Sequence, residues 1–334
     1  MSLSKSFSER VYEHSPVFVQ NLLVSLYGKK LYRREYGKKF DSLLQTFLLH
    51  ERNENALEIY RQARLQALIK HAYQNVPYYR ELMDQYGIKP HQIQTADDLK
   101  LLPILTRETV RQRAGDLLAT NIPESARILG KTSGTTGSPL QFYWDAETCR
   151  IKNVVDWRQK IAAGVRPFER MAFFLGRPVV PLHCSKPPYW RENRTFNQLF
   201  SSSFHLSNAT LPLYLAAPRK YQPVALEGYP STLSIVARWL LENKQKLPLR
   251  AAFTSSETLL PPQREAIERA FECPLFDFYG MAERVVFATE CELHSGKPSN
   301  DDFGITEFIN DSGRPVAANE LARIVATGLH NLTM

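Results

Sequence analysis

The chain has 334 residues, 43% of them hydrophobic and 23% charged, a composition typical of one large or two modest folded domains. The formal net charge of +8 would favour anionic ligands such as nucleotides. The basic residues are spread too widely along the chain to indicate a nucleic-acid-binding protein.

The cysteines and the N-terminal sequence exclude further classes. The four cysteines lack the CxxC spacing of a disulfide framework or a zinc ribbon, and a reduced, cytoplasmic setting fits them best. The N-terminal sequence does not have the basic-then-apolar pattern of a signal peptide. The most apolar early stretch, residues 16–28, is shorter than the roughly 20 residues of a membrane-spanning helix, so we expect no transmembrane segment.

A group of basic residues follows that apolar stretch. Its members are Lys29, Lys30, Arg33, Arg34, Lys38 and Lys39. Such a group is typical either of a helix with a solvated basic face or of a segment that attaches to an anionic membrane surface. Because Glu35 and Asp41 dilute the charge, the sequence favours the solvated face and leaves membrane contact as the second interpretation.

The first hundred residues predict helices. Apolar residues recur at helical spacing within residues 55–73, and Pro77 predicts that this helix ends before it. A shorter helix is expected to end at Gly87. Thr95 and Thr106 are predicted to cap the two short segments that follow them.

From about residue 125 onward, strands and helices alternate. The strand candidates are Met171–Leu175, Ala251–Thr254, Leu275–Tyr279, Val285–Thr289, Ile305–Ile309 and Ile324–Thr327. Apolar stripes at residues 233–241 and 266–271 predict helices between them. This alternation predicts an α/β fold with a largely buried sheet.

Residues 130–139 read GKTSGTTGSP and are dense in glycine and hydroxyl side chains. Glycine lets the backbone approach a ligand closely, and hydroxyls and exposed N–H groups can donate to phosphate oxygens. The Walker phosphate loop is rejected, because its first glycine would fall on Ser125 and the segment after Thr132 opposes a helix. A solvent-facing loop of turn-forming residues remains the alternative.

A second motif, DFYGMAE, runs from Asp277 to Glu283 at the end of a predicted strand. A tyrosine ring can pack on adenine, and a carboxylate at a strand end can hold the magnesium ion that bridges phosphates. In this order and spacing, TSGTTG and DFYGMAE resemble the acyl-adenylate-forming superfamily of acyl-CoA synthetases, peptide-synthetase adenylation domains and luciferases. The resemblance extends from about residue 10 to the end of the chain.

Narrower matches point to one branch of that superfamily. Residues 253–257, FTSSE, resemble its adenine-side strand end, and residues 227–231, EGYPS, resemble an element near its acid pocket. HAYQNVPYYREL, DLKLLPILTRETVR and ATGLHN resemble the phenylacetate–CoA ligases and, more closely, the CapK-like proteins of capsular polysaccharide gene clusters.

The resemblance implies a fold and a set of site residues. A helical N-terminal region, residues 1–110, would pack on a mixed-sheet AMP-binding core of residues 111–334. The nucleotide would be bound by Thr132, Ser133, Gly134, Thr135, Thr136, Gly137, Ser255, Ser256, Glu257, Asp277, Phe278, Tyr279 and Gly280. The acid pocket would include Tyr229, Pro230 and Met281. Glu283 would hold magnesium, and Thr136 and Glu283 would be the catalytic residues.

The implied cofactors are ATP and Mg²⁺, with CoA as an acceptor. The implied substrate is a small carboxylic acid, either aryl or otherwise apolar or one used to modify a surface polysaccharide, and a homodimer is left open. The alternative function is a non-catalytic nucleotide-binding remnant or a partner subunit in surface-polysaccharide biosynthesis.

The match also departs from the family pattern. Ala282 stands where relatives have a threonine that touches the α-phosphate, and Leu140 and Gln141 stand where a lysine is frequent. The sequence predicts that the chain stops before the ribose-binding aspartate and the small domain that carries a catalytic lysine. We therefore expect weak or no turnover from this chain alone.

Zinc is the less favoured cofactor. Cys291 and His294, with Asp301 and Asp302 nearby, could supply zinc ligands. Two plausible ligands fall short of the usual three or four.

Overall fold

The structure is a computed structural model that describes residues 7–132, 139–176 and 178–334. Its α-helices are α1 Phe7–His14, α2 Val17–Glu35, α3 Lys38–His50, α4 Glu54–Asn75, α5 Pro77–Gln85, α6 Arg107–Gln112, α7 Ala146–Ala162, α8 Leu211–Tyr221, α9 Pro230–Glu242 and α10 Pro261–Phe271. Its strands are β1 Ile128–Lys131, β2 Gln141–Trp144, β3 Met171–Leu175, β4 Trp190–Asn193, β5 Gln198–Ser202, β6 Ala225–Gly228, β7 Ala251–Ser255, β8 Leu275–Gly280, β9 Phe287–Thr289, β10 Gly304–Ile309 and β11 Arg323–Gly328.

The main sheet has seven strands in the order β4-β5-β3-β6-β7-β8-β9. The pairs from β5 through β3, β6 and β7 to β8 are parallel, and β4 is antiparallel to β5. Two antiparallel pairs, β1 with β2 and β10 with β11, stand apart from it. The predicted α/β fold with a mixed sheet is therefore confirmed.

The chain divides into two compact units. The first contains the residues up to Arg34, together with Gln159–Tyr279 and Thr289–Lys297. Its core lies between the sheet and the helices that follow its strands, and both predicted stripes contribute to it. The fully buried members are Leu233, Val236, Ala237, Leu240, Ile267, Ala270 and Phe271, and each large apolar side chain buried this way contributes about 1.5–3 kcal/mol.

The second unit contains Glu35–Arg158, Gly280–Ala288 and Pro298–Met334. Within it the final segment of the chain lies along α4. The guanidinium of Arg64 donates to the carbonyl of Leu329 at 3.1 Å, and the ring of His71 donates to the carbonyl of Leu332 at 2.8 Å. These units are compact groups of segments and do not test the predicted domain boundary after residue 110, which stays a prediction.

The local predictions in the helical region are confirmed for α4 and Thr106, whereas the side chain of Thr95 makes no capping hydrogen bond. Helix α4 ends at Asn75, before Pro77. The hydroxyl of Thr106 accepts the N–H of Thr109 at 3.1 Å at the start of α6. The carboxylate of Asp98 accepts the N–H of Thr95 at 2.9 Å, which begins a short 3₁₀-helix.

One predicted strand is shorter than expected. The prediction began at Val285, whereas β9 begins at Phe287. The backbone of Val285 passes so close to Gly304 that any side chain at position 304 would overlap the Val285 carbonyl. In addition, the N–H of Met281 donates to the carbonyl of Val286 at 3.4 Å. Residues 281–286 therefore form a turn, and this turn includes Val285 and Val286, the first two residues of the predicted strand. No helix in the described part of the chain is long and apolar enough to cross a membrane.

Candidate functional site

The glycine- and hydroxyl-rich loop connects the two strands of the β1–β2 hairpin. Its foot is closed by two hydrogen bonds, from the N–H of Thr132 to the carbonyl of Leu140 and from the N–H of Leu140 to the hydroxyl of Thr132, both 3.0 Å long. Because the Thr132 oxygen accepts in this pair, neither of these two hydrogen bonds uses the hydroxyl proton. The other predicted phosphate-loop residues, Ser133, Gly134, Thr135, Thr136 and Gly137, lie outside the described residues.

Gly130 serves packing in this hairpin. A side chain there would overlap the rings of Phe142 and Trp144, which meet edge to face with centroids 5.2 Å apart. The close approach of these rings to the β1 backbone requires glycine at this position. The hairpin that carries the loop is therefore fixed by an aromatic pair at its base.

The turn that contains Glu283 contacts this hairpin. The indole N–H of Trp144 donates to the carbonyl of Glu283 at 3.3 Å, and the guanidinium of Arg284 lies 4.0 Å from the centre of the Trp144 ring. Glu283 is half-buried, and its carboxylate has no hydrogen bond or ion pair with any residue that the structure describes. A carboxylate left in this state is suited to a metal cation.

Arg284 is a candidate site residue that the sequence analysis missed. Its backbone has φ of 61°, in the left-handed region that few residues adopt. Its buried Nη1 has no hydrogen-bond partner among the described residues. A buried guanidinium donor needs an acceptor, and a phosphate oxygen suits its geometry. The available sequence signal was a cation directly after the glutamate of the motif.

Magnesium-bound ATP fits the side chains around this turn. The carboxylate of Glu283, which has no partner in the part of the chain that the structure describes, could hold a cation, and Arg284 offers a donor to an anion. Both lie in the unit that contains the hairpin. These are the charges that a nucleotide with a bridging cation requires.

The strand ends of β7 and β8 hold a second group of predicted residues. Asp277 is only 3% exposed. The hydroxyl of Thr254 donates to its Oδ1 at 2.6 Å, and the ammonium of Lys297 lies 2.9 Å from its Oδ2. Its N–H donates to Glu290 at 2.8 Å. Both carboxylate oxygens are thus engaged by protein groups, and the side chain fastens β8 to β7.

Glu257 and Ser256 lie just beyond β7. The carboxylate of Glu257 accepts the N–H and the hydroxyl of Ser231, each at 3.0 Å, and so caps the N-terminus of α9. Ser256 has φ of 68°, and Ser255 is buried. The two segments that resembled the adenine-side and acid-side elements therefore lie side by side.

Tyr229 precedes α9, and Pro230 is the buried first residue of that helix. The Tyr229 ring packs against the backbone of Gly176, just after β3. The contact is so close that a side chain on Gly176 would lie 2.7 Å from the Tyr229 Cε2 atom. Strands β3, β6, β7 and β8 are parallel, so Tyr229, Ser256 and Tyr279 lie at their shared carboxyl edge. In open α/β sheets, ligands bind at this edge.

The remaining predicted residues of the motif differ in exposure. Tyr279 and Gly280 are exposed, and Phe278 and Met281 are half-buried. An exposed ring at a strand end can stack on a flat ligand, which suits Tyr279 best among these residues.

The zinc hypothesis gains no support from the described residues, which contain no group of three or more His, Cys, Asp or Glu side chains able to hold a metal ion. The ring of His294 lies 3.5 Å from Glu290, whose carboxylate is held by two 2.8 Å bonds from Arg264. Asp302 is bonded to Arg158 and His50. The residues present do not fit zinc.

No protein-family model matches the chain, but individual proteins do. Protein CapK of Staphylococcus aureus is 29% identical over 283 residues, which cover 84% of this chain and 61% of CapK. The phenylacetate-coenzyme A ligase of Thermus thermophilus is 31% identical over 285 residues, covering 82% of this chain and 62% of the ligase. The Escherichia coli ligase of the same name is 26% identical over 283 residues, covering 82% and 63%.

Solved structures share the fold. A 2-hydroxyisobutyryl-CoA ligase in complex with 2-HIB-AMP and CoA superposes with a TM-score of 0.63 at 21% identity, covering 81% of this chain and 65% of that one. This chain spans 61–63% of the length of the three curated relatives above. Sequence motifs, fold and relatives agree: over most of its length the chain is similar to CapK and the phenylacetate–CoA ligases, and it shares its fold with a 2-hydroxyisobutyryl-CoA ligase.

Proposed function

We propose that this protein binds ATP with magnesium and takes part in the activation of a carboxylic acid. In this reaction a carboxylate oxygen attacks the α-phosphorus of ATP, the bond to pyrophosphate breaks, and an acyl-adenylate forms. The observation that carries the proposal is the 3.3 Å hydrogen bond from Trp144 to Glu283. It brings the turn with the Glu283 carboxylate to the hairpin whose loop has the phosphate-binding sequence.

Each predicted residue has a role in this proposal. Residues 132–137 hold phosphates, and Thr136 and Glu283 act at the reacting end, where Glu283 holds magnesium. Tyr279, Phe278, Gly280, Ser255, Ser256 and Glu257 form the adenine side. Asp277, with both oxygens engaged, positions the strands, and Arg284 adds a donor to a phosphate.

The acid and its acceptor are proposed from the relatives. Phenylacetate and 2-hydroxyisobutyrate are the acids in the names of the similar ligases, and both are small. Tyr229, Pro230 and Met281 would line a pocket for such an acid, and CoA would be the acceptor. An acid used in surface-polysaccharide modification remains the proposal that follows from the likeness to CapK. The cytoplasmic setting expected from the cysteines also stays a prediction.

Isothermal titration of the chain with ATP and Mg²⁺ tests the proposal. We expect weak but measurable binding, reduced about tenfold or more by Glu283→Gln, because a charged contact contributes roughly 1.5–3 kcal/mol. Thr136→Ala should also weaken binding. Glu292→Gln is the matched control, since this exposed glutamate lies outside the proposed site. The absence of any heat, or an equal loss in the control, would reject nucleotide binding.

Pyrophosphate exchange with a panel of small aryl and aliphatic acids separates the two candidate functions. Binding of ATP without exchange fits a nucleotide-binding remnant or partner subunit. Exchange stimulated by one acid supports activation and identifies the substrate class.

A further inference from the structure

Helix α2 lies along β4 with its polar side inward. Asn21 accepts the N–H of Glu192 at 3.0 Å, and Ser25 accepts the N–H of Arg194 at 3.1 Å. Gly28 is pressed against the side chain of Asn193. Because β4 is the last strand of the sheet, its outer backbone groups need partners. The polar side of α2 supplies them.

The orientation of α2 is fixed by a buried pair. Gln20 and Arg191 are 3% and 2% exposed, and the guanidinium of Arg191 donates to the side-chain oxygen of Gln20. The amide of Gln20 donates in turn to the carbonyl of Tyr12 at 2.8 Å. Rotation of the helix to bury its apolar residues would leave these polar groups unpaired, at high cost.

The opposite side of α2 is apolar and exposed. Phe18, Leu22 and Leu26 are 74%, 56% and 53% exposed, and their four-residue spacing places them in one stripe. A helix on a globular protein normally turns such a stripe toward the core, whereas these three side chains of α2 are exposed. An exposed apolar stripe of this kind marks an interaction surface.

Basic residues continue the same stripe toward the C-terminal end of α2. Lys29, Lys30 and Arg33 are exposed, and with Leu26 and Arg34 they line a shallow depression. Lys38 and Lys39 lie on α3 instead, where Lys39 forms an ion pair with Glu147 at 2.8 Å. The basic group seen in the sequence is thus divided, and only its first part borders the apolar stripe.

We propose that the outward face of α2 binds an anionic membrane surface. Phe18, Leu22 and Leu26 enter the boundary between headgroups and acyl chains, and Lys29, Lys30 and Arg33 lie beside lipid phosphates. Charge complementarity favours lipid over a second copy of the chain. If this face paired with itself, its cations would meet apolar or basic side chains, and no anion would compensate them.

Co-sedimentation of the chain with lipid vesicles tests this proposal. We expect pelleting with vesicles that contain phosphatidylglycerol, and little with phosphatidylcholine alone. The triple variant Lys29→Glu, Lys30→Glu, Arg33→Glu should bind at least about tenfold more weakly, because each basic residue near a membrane contributes roughly 1 kcal/mol. Leu22→Ser with Leu26→Ser should also lose most binding. Lys186→Glu with Lys220→Glu, two exposed lysines outside α2, is the matched control and should bind as the parent does.

The proposal is overturned if the parent does not pellet with anionic vesicles, or if the control pair loses as much binding as the triple variant. Sedimentation velocity gives the competing result: a dimer that Leu22→Ser with Leu26→Ser dissociates, without vesicle binding, assigns the face to a second copy. All substituted side chains are exposed, so melting temperatures should match the parent. ATP titration of the same variants should be unchanged, which keeps this test separate from that of the nucleotide site.

Discussion

Two buried aspartates, one in each unit, show how the same residue type serves two kinds of region. Asp277 lies at the carboxyl edge of the sheet and contacts Lys297, whose side chain is 37% exposed. Asp302 is enclosed, with His50 at 3.0 Å and Arg158 at 2.7 Å, and all three side chains are nearly inaccessible. The first network reaches the surface beside the proposed nucleotide residues, whereas the second is part of a core.

A conspicuous carboxylate in a motif is therefore not by itself a ligand. From the sequence, Asp277 is expected to contact the nucleotide, and Asp302 lies near the two candidate zinc ligands. In the structure the oxygens of both are engaged by protein donors, whereas the carboxylate of Glu283 has no partner among the described residues.

The largest effect is expected from Asp302→Asn, which would lower the free energy of unfolding by about 3–5 kcal/mol, because it leaves the buried Arg158 guanidinium without its main anion. Urea unfolding followed by circular dichroism measures this loss. The matched control is Asp301→Asn, whose parent carboxylate is 38% exposed and 3.7 Å from Arg61; it should cost less than about 1 kcal/mol. Equal losses in the two variants would contradict an enclosed core network.

His330 adds a pH dependence to the enclosed network. Its Nε2–H donates to the carbonyl of Asp302 at 2.7 Å, and its Nδ1 has no partner among the described residues. Burial lowers the pKa of His330 from 6.5 to about 4, so the folded state keeps this ring neutral while the unfolded state takes up a proton. Stability from this group is complete above pH 6.5 and falls as the pH drops toward 4.

We expect the contribution of His330 to the free energy of unfolding to fall by about 2–3 kcal/mol between pH 7 and pH 4, since one pKa unit corresponds to about 1.4 kcal/mol. Urea unfolding across this range measures it, and His330→Gln should flatten the slope because an amide does not titrate there. His91→Gln changes an exposed ring and should leave the slope as in the parent. An unchanged slope in His330→Gln would show that another group is responsible.

Substitution of Asp277, in the network at the sheet edge, should lower stability less. Asp277→Asn removes the ion pair with Lys297, but its remaining carbonyl oxygen can still accept the hydroxyl of Thr254. We expect a loss of about 1–2 kcal/mol in urea unfolding, smaller than for Asp302→Asn. Lys297→Gln isolates the ion pair and should cost less than 1 kcal/mol or so, because its side chain is partly solvated. A loss equal to that of Asp302→Asn would remove the distinction between the two networks.

The sequence predicted those elements whose signals are local. Helix α4, the cap at Thr106 and the stripe in α9 follow from periodicity and capping within one segment. Strand β4 was missed because its two buried positions are Arg191 and Asn193, so no apolar alternation exists to find. Arg191 can be buried because Gln20 of α2, some 170 positions earlier in the chain, accepts a hydrogen bond from its guanidinium.

In the candidate site, too, the local motifs were predictable from the sequence and the long-range contacts were not. The loop and the DFYGMAE motif are continuous in sequence, and their order indicated a nucleotide. The engagement of Asp277 depends on Thr254, 23 positions away. The guanidinium of Arg284 packs against Trp144, which is distant in sequence, and its Nη1 has no partner among the residues that the structure describes. Neither contact leaves a trace in local composition, so these roles required the fold.

The smallest predicted effect concerns the sheet edge again, at the N-terminus of α9. Glu257 caps this helix through Ser231, so Glu257→Gln should lower stability by about 0.5–1 kcal/mol, because it removes a negative charge from the positive end of the helix dipole. Glu242→Gln, at the other end of the same helix, removes an unfavourably placed charge and should be neutral or slightly stabilising. Thermal unfolding of the two variants reads out the difference. If Glu257→Gln leaves stability unchanged but abolishes ATP binding, the hydrogen bonds to Ser231 do not stabilise the helix and Glu257 binds the nucleotide. Glu257 would then differ from Asp277, whose carboxylate is engaged by protein groups.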